Sequence, residues 1–267
     1  MKKIQWPLIV LVLSAASTIN GKEYQRTQET CFPLSSTKYE VGIKSFNNGI
    51  SELEFDRLIK TATALMEPEV KRILNKKLII EGRWQDPTVD AFATRDDDNN
   101  AVVVMNGGLA RHPEMTAEGF LVLICHEIGH HLGGAPKMFR GKSGLRGWSS
   151  AEGQADYYAT SKCLPIFYKA NSEKKKPLLN GSLSVSKVFA SLSSGTPEPK
   201  LTEADNTKVP TTIYNHPNPQ CRLDTYLAGI NCEIGADIPF DSVNPQVGAC
   251  MEDKGIRPSC WFQERDF

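Results

Sequence analysis

The run His126-Glu127-Ile128-Gly129-His130 closes an apolar stretch, Phe120 to Cys125, and limits what this chain can become more than any other feature. Two imidazoles and a carboxylate at the end of so apolar a segment must be carried into a core, and a helix is the element that brings the histidines together. At about 100° per residue, positions four apart lie about 40° apart around the axis and one turn along it, so His126 and His130 can point at one ion. Glu127 projects beside them. A carboxylate there is placed to take a proton from a metal-bound water rather than to bind the metal itself. Gly133-Gly134 followed by Pro136 is a strong helix stop. The competing reading is an amphipathic helix that happens to carry two histidines, but with only five in the chain such a match rarely arises by chance.

Two histidines do not complete a catalytic zinc site, which takes three protein ligands and keeps a fourth position for water. In the pattern H-E-x-x-H-x-x-G-x-x-H the glycine falls at Gly133, but the last histidine falls at Pro136, so that arrangement lacks its ligand. A glutamate on a second helix is the alternative, and Ser149-Ser150-Ala151-Glu152-Gly153-Gln154-Ala155-Asp156 offers one. Glu152 and Asp156 share a helical face. Glu152 is the candidate ligand, and Asp156 is placed to accept the free ring N–H of a ligating histidine and fix its tautomer. An exposed acidic helix face is the plain alternative.

At these residues the sequence resembles the HtpX and CAAX prenyl protease family of gluzincins. The likeness runs through His126 to His130 and through Glu152 with Ala155-Asp156, which look like that family's E-x-x-A-D helix. Asp90-Ala91-Phe92-Ala93 resembles its N-A-F-A, and Val102 to Leu109 resembles the strand and turn ahead of the metal helix. His216-Pro217 followed by Arg222-Leu223 has the family's H-P-x-x-x-x-R-[IL] spacing. The resemblance covers roughly residues 50 to 228, with weak similarity between the blocks. It implies zinc ligands His126, His130 and Glu152, one ion per chain, a general base at Glu127, and places for His216 and Arg222 near the site. It also implies that the strand near the metal presents an edge to substrate, so that a peptide adds as a strand at Val102 to Val104. Asp90 departs from the family's asparagine.

Membrane-bound members of that family carry several spanning helices, whereas no segment here after residue 20 has the ~18 consecutive apolar residues a span needs. Met1-Lys2-Lys3, the apolar run Trp6 to Ala16 and the small residues Ser14 to Ser17 read as a signal peptide over residues 1–21, with a retained anchor as the competing reading. The expected location is therefore exported, periplasmic or secreted. Cysteine use agrees: of seven cysteines, Cys125 reads as a buried thiol beside His126, and six remain for up to three disulfides. Cys250 with Cys260 and Cys163 with Cys221 are the expected pairs. Formal net charge is zero, which gives no electrostatic footprint for nucleic acid.

The expected fold class is α+β: a mostly helical zincin-type metallopeptidase domain, residues 22–230, with a small β-sheet beside the metal-binding helix. Apolar spacing predicts a helix over Ile50 to Leu74. Leu78 to Ile80 and Ala101 to Met105 read as strands around an acidic turn, Asp96 to Asn100, which lacks the glycine and distal glutamate of a calcium loop. Residues 171–212, with Lys174-Lys175-Lys176 and Ser- and Pro-rich stretches, read as a surface excursion or a lid, interrupted by a helical piece at Val185 to Leu192. Residues 231–267 read as a Cys-rich, disulfide-braced appendage.

The expected function is an exported zinc endopeptidase acting on protein, with a zinc-activated water and Glu127 as base. His216 is the first candidate for the donor that stabilises the oxyanion, a plain turn histidine being the alternative. Arg222 either orients substrate or pairs with Asp156. His131 points about 100° away from His130 and is not expected to be a ligand; His112 has no assigned role. The alternative function is a protease-like chaperone or binding protein of the cell envelope with little turnover.

Overall fold

The computed structural model describes residues 39–45, 49–139, 144–169 and 175–267, so the leader and Cys31 lie outside the described residues. Helix α1, Glu52–Leu74, starts where the Ser51 hydroxyl accepts the Glu54 N–H and ends at Asn75 in the left-handed region, φ 54°. Its apolar face buries Phe55, Leu58, Ile59, Ala62, Met66 and Val70 against strand β1, Leu78–Arg83, and against the helix that carries His126 and His130. Strands β2, Ala91–Arg95, and β3, Ala101–Asn106, complete a three-stranded sheet in the order β1-β3-β2, parallel between β1 and β3 and antiparallel between β2 and β3. The acidic connection between β2 and β3 is a turn held by its own side chain: Asp96 accepts the N–H groups of Asp98 and Asn100.

This order corrects one expectation. Val102 to Val104 lies in the central strand, where both rows of ladder hydrogen bonds are spent on β1 and β2, so it offers no edge to an incoming peptide.

A short helix α2, Gly107–Ala110, leads to α3, Ala117–Leu132, whose N-terminus is capped by the Thr116 hydroxyl on Gly119 N–H. Every residue of α3 from Gly119 to Leu132 is buried, the pattern of a helix packed on all sides. Around it stand α1, the sheet, a hairpin of β4, Lys137–Phe139, with β5, Arg146–Ser150, and helix α4, Glu152–Tyr158. Helix α4 continues through a widened π-type turn, Ala159–Cys163, into α5, Leu164–Phe167. Gly129 is what lets α3 and α4 approach: a Cβ there would sit 2.9 Å from the Ala155 carbonyl oxygen. The fourth residue of His126-Glu127-Ile128-Gly129-His130, which looks idle, thus sets the spacing of the helices that carry His126, His130 and Glu152.

Two expected peripheral segments are structural. Within 171–212, residues Lys175–Ser191 form helix α6, which buries Leu178, Val185, Val188 and Phe189 against α3 and α7, Pro219–Asn231. The three lysines obscured a helix whose apolar face begins at Leu178. The segment 231–267 is no appendage either: Trp261 is fully buried and packs on Gly153, where a Cβ would lie 2.3 Å from its ring. The Tyr157 hydroxyl donates to the Gly255 carbonyl, and Ala135 N–H donates to that of Asp241.

The disulfides differ from expectation. Cys125 pairs with Cys163, Cys221 with Cys260 and Cys232 with Cys250. Cys125 is therefore no free thiol; one residue before His126, it ties α3 to the turn that follows α4. Cys221, at the start of α7, meets the buried tail at Cys260 instead of Cys163. No helix among the described residues is long and apolar enough to cross a membrane. Closing a loop of 38 residues restricts the unfolded chain by about 4 kcal/mol. A Cys125→Ala/Cys163→Ala variant is expected to lose stability of that order in urea unfolding at equilibrium, while Cys250→Ala/Cys232→Ala, with its separation of 18, loses less.

Candidate metal centre

Three of the sequence-derived residues converge without any one segment containing them. His126 and His130 come from α3 and Glu152 from the first position of α4, and their ligand atoms lie within 4.8 Å of one another. All three are buried, Glu152 being 1 % exposed and both histidines 0 %. His126 Nε2 is 3.3 Å from Glu152 Oε2, and His130 Nε2 is 3.6 Å from Glu152 Oε1. Donors about 2.0–2.1 Å from a tetrahedral ion stand about 3.3–3.4 Å apart, so the spacing matches such an ion.

The protonation pattern points the same way. His126 Nδ1 is 2.7 Å from Asp156 Oδ1, and an ionised carboxylate only accepts, so this nitrogen carries the proton. His130 Nδ1 is 2.9 Å from the Ser150 carbonyl, again an acceptor, and 3.0 Å from the Ser149 hydroxyl. Burial lowers the His130 pKa to about 4, so the ring is neutral near pH 7. Its Nε2 is then a lone pair with no hydrogen bond, aimed at a carboxylate. Burial tends to raise the pKa of Glu152, but His216, His130 and His126 outweigh it and hold the carboxyl well below its ordinary value. A lone pair facing an anion in a dry core is unfavourable unless a cation stands between them. The group His126, His130 and Glu152 can hold a metal ion.

A second ring of contacts fixes the ligands. Arg222 forks onto Asp156, Nε to Oδ2 at 2.8 Å and Nη2 to Oδ1 at 2.7 Å. Burial raises the Asp156 pKa, and the Arg222 charge with His126 more than reverses that, leaving it lowered. Of the two roles open to Arg222, the pairing with Asp156 is the one it fills, 1 % exposed and with its guanidinium 3.6 Å over the Phe189 ring. Helices α3, α4, α6 and α7 thus meet around one carboxylate.

His216 also arrives at the centre, its Nε2 3.4 Å from Glu152 Oε2 and its side chain one-fifth exposed. It sits there because the segment before it is pinned: the Tyr214 carbonyl accepts Glu152 N–H, and Ile213 N–H donates to the Trp261 carbonyl. Glu127 is buried on α3, about 100° around the axis from His126 and 60° from His130.

His131 is no part of the ligand group. It stacks on Trp148 at 4.6 Å, its Nε2 lies 3.2 Å from the Val102 carbonyl, and burial lowers its pKa to about 3. His112 is structural: its Nδ1 accepts Glu114 N–H and its Nε2 lies 3.1 Å from the Ser191 hydroxyl. Ser149 and Ser150, read from sequence as the start of the Glu152 helix, instead end strand β5 and present the His130 acceptor. Nothing in their local pattern marks that role. No protein-family model, curated protein or solved structure matches the chain.

Two outcomes follow. Asp156→Asn, which keeps the shape but weakens the acceptor, is expected to lower metal affinity about 10- to 100-fold in a chelator competition. In metal-stripped protein, His112, His130 and His131 have pKa values near 4, 4 and 3, below the unfolded value of 6.5. Their depressed values mean that the unfolded chain binds more protons below pH 6.5. Stability is whole above that pH and falls as pH drops toward 4, by up to about 1.4 kcal/mol per pH unit for each histidine. Urea unfolding at pH 7.5, 6 and 5 measures this loss.

Proposed function

We propose that the protein is an exported zinc-dependent endopeptidase, similar in its chemistry to the gluzincins whose motifs it resembles. The observation that carries the reading is the buried meeting of His126, His130 and Glu152 with Glu127 one residue from a ligand. Zinc suits two imidazoles and a carboxylate, and when bound there it supplies Lewis acidity that polarises a peptide carbonyl and makes water acidic enough to lose a proton near pH 7.

The chain's own groups supply the rest. Asp156, held by Arg222, keeps the His126 Nδ1 proton in place, and the Ser150 carbonyl does the same for His130. Each ring then keeps Nε2 as the donor atom. Glu127 accepts the proton of the attacking water and delivers it to the amine nitrogen as the peptide C–N bond breaks, so the carboxylate is regenerated. His216, which reaches the centre from the solvent side, donates a hydrogen bond to the oxyanion of the tetrahedral intermediate. Three disulfides among the described residues suit an oxidising compartment, in keeping with the leader-like N-terminus.

One observation favours a second reading, a chaperone-like or binding protein with little turnover: Glu127, His126 and His130 are all 0 % exposed. Casein cleavage separates the two. Glu127→Gln is expected to lower kcat about 10²- to 10⁴-fold with metal retained. A protein that binds casein equally well with and without Glu127, and cleaves it in neither form, contradicts the peptidase.

A further inference from the structure

Of the three disulfides among the described residues, two are sealed in the core and one is not. Cys125, Cys163 and Cys221 are fully buried and Cys260 nearly so, whereas Cys232 and Cys250 are both half-buried. Two concavities flank this third bridge. One, of about 800 Å³, is lined by Cys250 and the other, of about 350 Å³, by Cys232, and they share Asn231, Glu233 and Ile234 where α7 ends. A thiolate must reach a sulfur atom to break a disulfide, so the Cys232–Cys250 bridge is the one of the three that lies open to attack from solvent.

The bridge closes a loop, residues 232–250, that leans on both elements carrying the candidate ligands. Ala135, just past the end of α3, donates its N–H to the Asp241 carbonyl at 2.8 Å. Gly134 lies so close to the loop that a Cβ there would overlap the same carbonyl oxygen. The Phe240 ring stands 5.8 Å from Tyr157 and 6.3 Å from Tyr158 on α4. Lys162, in the widened turn after α4, donates Nζ to the carbonyls of Ile234 and Gly235 at 3.3 and 2.8 Å. At the far end of the loop the Cys250 N–H donates to the Tyr157 hydroxyl at 3.2 Å. These contacts fall next to the groups that orient the histidines. Tyr157 follows Asp156, which holds the His126 ring, and the Gly134 carbonyl accepts the hydroxyl of Ser150, whose own carbonyl holds the His130 ring. Burial alone does little to keep the loop in place: Phe240 is its one large apolar side chain in the core, while Ile238, Val243 and Val247 are exposed. Covalent closure supplies what burial does not, by removing conformations that an open chain would take up.

We infer that the Cys232–Cys250 bridge is a redox latch on the metal centre: reduction by a dithiol in the surroundings frees the loop, loosens the packing behind Asp156 and Ser150 and lowers metal affinity, and reoxidation restores it. This regulation rests on the metal-centre reading above. In the reduction, a thiolate of the dithiol attacks Cys250 Sγ from the larger concavity, the S–S bond breaks, and Cys232 Sγ leaves with the electron pair and takes up a proton. The second thiolate of the dithiol then attacks the mixed disulfide and releases Cys250, which is protonated in turn. The bridge thus gains two electrons and two protons, and the dithiol becomes a disulfide.

The test uses metal-free mature protein with Cys31 blocked by N-ethylmaleimide. Samples are reduced with graded dithiothreitol, trapped with iodoacetamide and desalted, and peptide mass spectrometry identifies the thiols released. Chelator competition then reads zinc affinity, and hydrogen/deuterium exchange reads the Ala135 amide, a signal that needs neither metal nor activity. The first pair released is expected to be Cys232 and Cys250, with the other two bridges intact, and in that sample zinc affinity is about tenfold lower and Ala135 exchanges faster. An untrapped sample reoxidised after desalting recovers both. Cys232→Ser/Cys250→Ser is expected to show the lowered affinity without any reductant; should that variant not fold, the wild-type series decides alone. Release of another pair first, or release of this pair with zinc affinity and Ala135 exchange unchanged, overturns the latch. Oxidised protein that binds no zinc overturns the metal centre and the latch together, whereas a latch that fails alone shows equal zinc binding in both redox states. Casein cleavage by the oxidised protein, measured separately, reports on the peptidase reading.

Discussion

A carboxylate buried away from water must be matched by donors, and Asp156 is matched on two sides: by the forked guanidinium of Arg222 and by the His126 ring N–H. Removing Arg222 leaves that charge unpaired in a dry core, at a cost of about 3–5 kcal/mol. This triad does more than hold helices together. Because Asp156 only accepts, it fixes the proton on Nδ1 and turns Nε2 of His126 toward Glu152. The Ser150 carbonyl repeats the device for His130. Two histidines oriented by acceptors behind them present lone pairs in front, and those lone pairs converge with Glu152. The protein has assembled a place for a positive charge by spending its hydrogen bonds elsewhere.

The surrounding packing keeps that place small. Gly129 lets α4 lie against α3, Gly153 lets Trp261 lie against α4, and the Cys125–Cys163 bridge ties the helices again one residue from His126. Phe189 on α6 caps the Arg222 guanidinium. The spacing of His126, His130 and Glu152 is thus set by contacts from four helices, the turn after α4 and the C-terminal segment. Interiors packed to this density resist sub-ångström displacement.

The centre was legible from sequence because its chemistry has helical spacing. His126 and His130, and likewise Glu152 and Asp156, are four residues apart, so each pair shares a face before any tertiary contact is known. The role of Asp156 follows from charge and position, whereas Arg222 stood between two roles until the fold paired it with Asp156. Pairings that depend on the path of the chain were not legible. Cys125 looked like a small core residue because its partner is brought up by a widened turn after α4, which no periodicity announces. Lys174 to Lys176 masked the start of α6, and turn residues masked a tail whose one tryptophan is buried. The strand at Val102 to Val104 was read correctly as a strand but wrongly as an edge, since strand order is decided by crossovers rather than by local sequence.

A cation between His126, His130 and Glu152 is what these orienting contacts require. The most direct measurement is metal analysis of the purified mature protein, followed by zinc K-edge X-ray absorption on wild type and Glu152→Gln. The account expects one zinc per chain, bound by two imidazole nitrogens and oxygen donors at about 2.0–2.1 Å, with occupancy falling in the variant. Protein that holds no zinc after dialysis against the ion, or that binds it as well without Glu152, would contradict it.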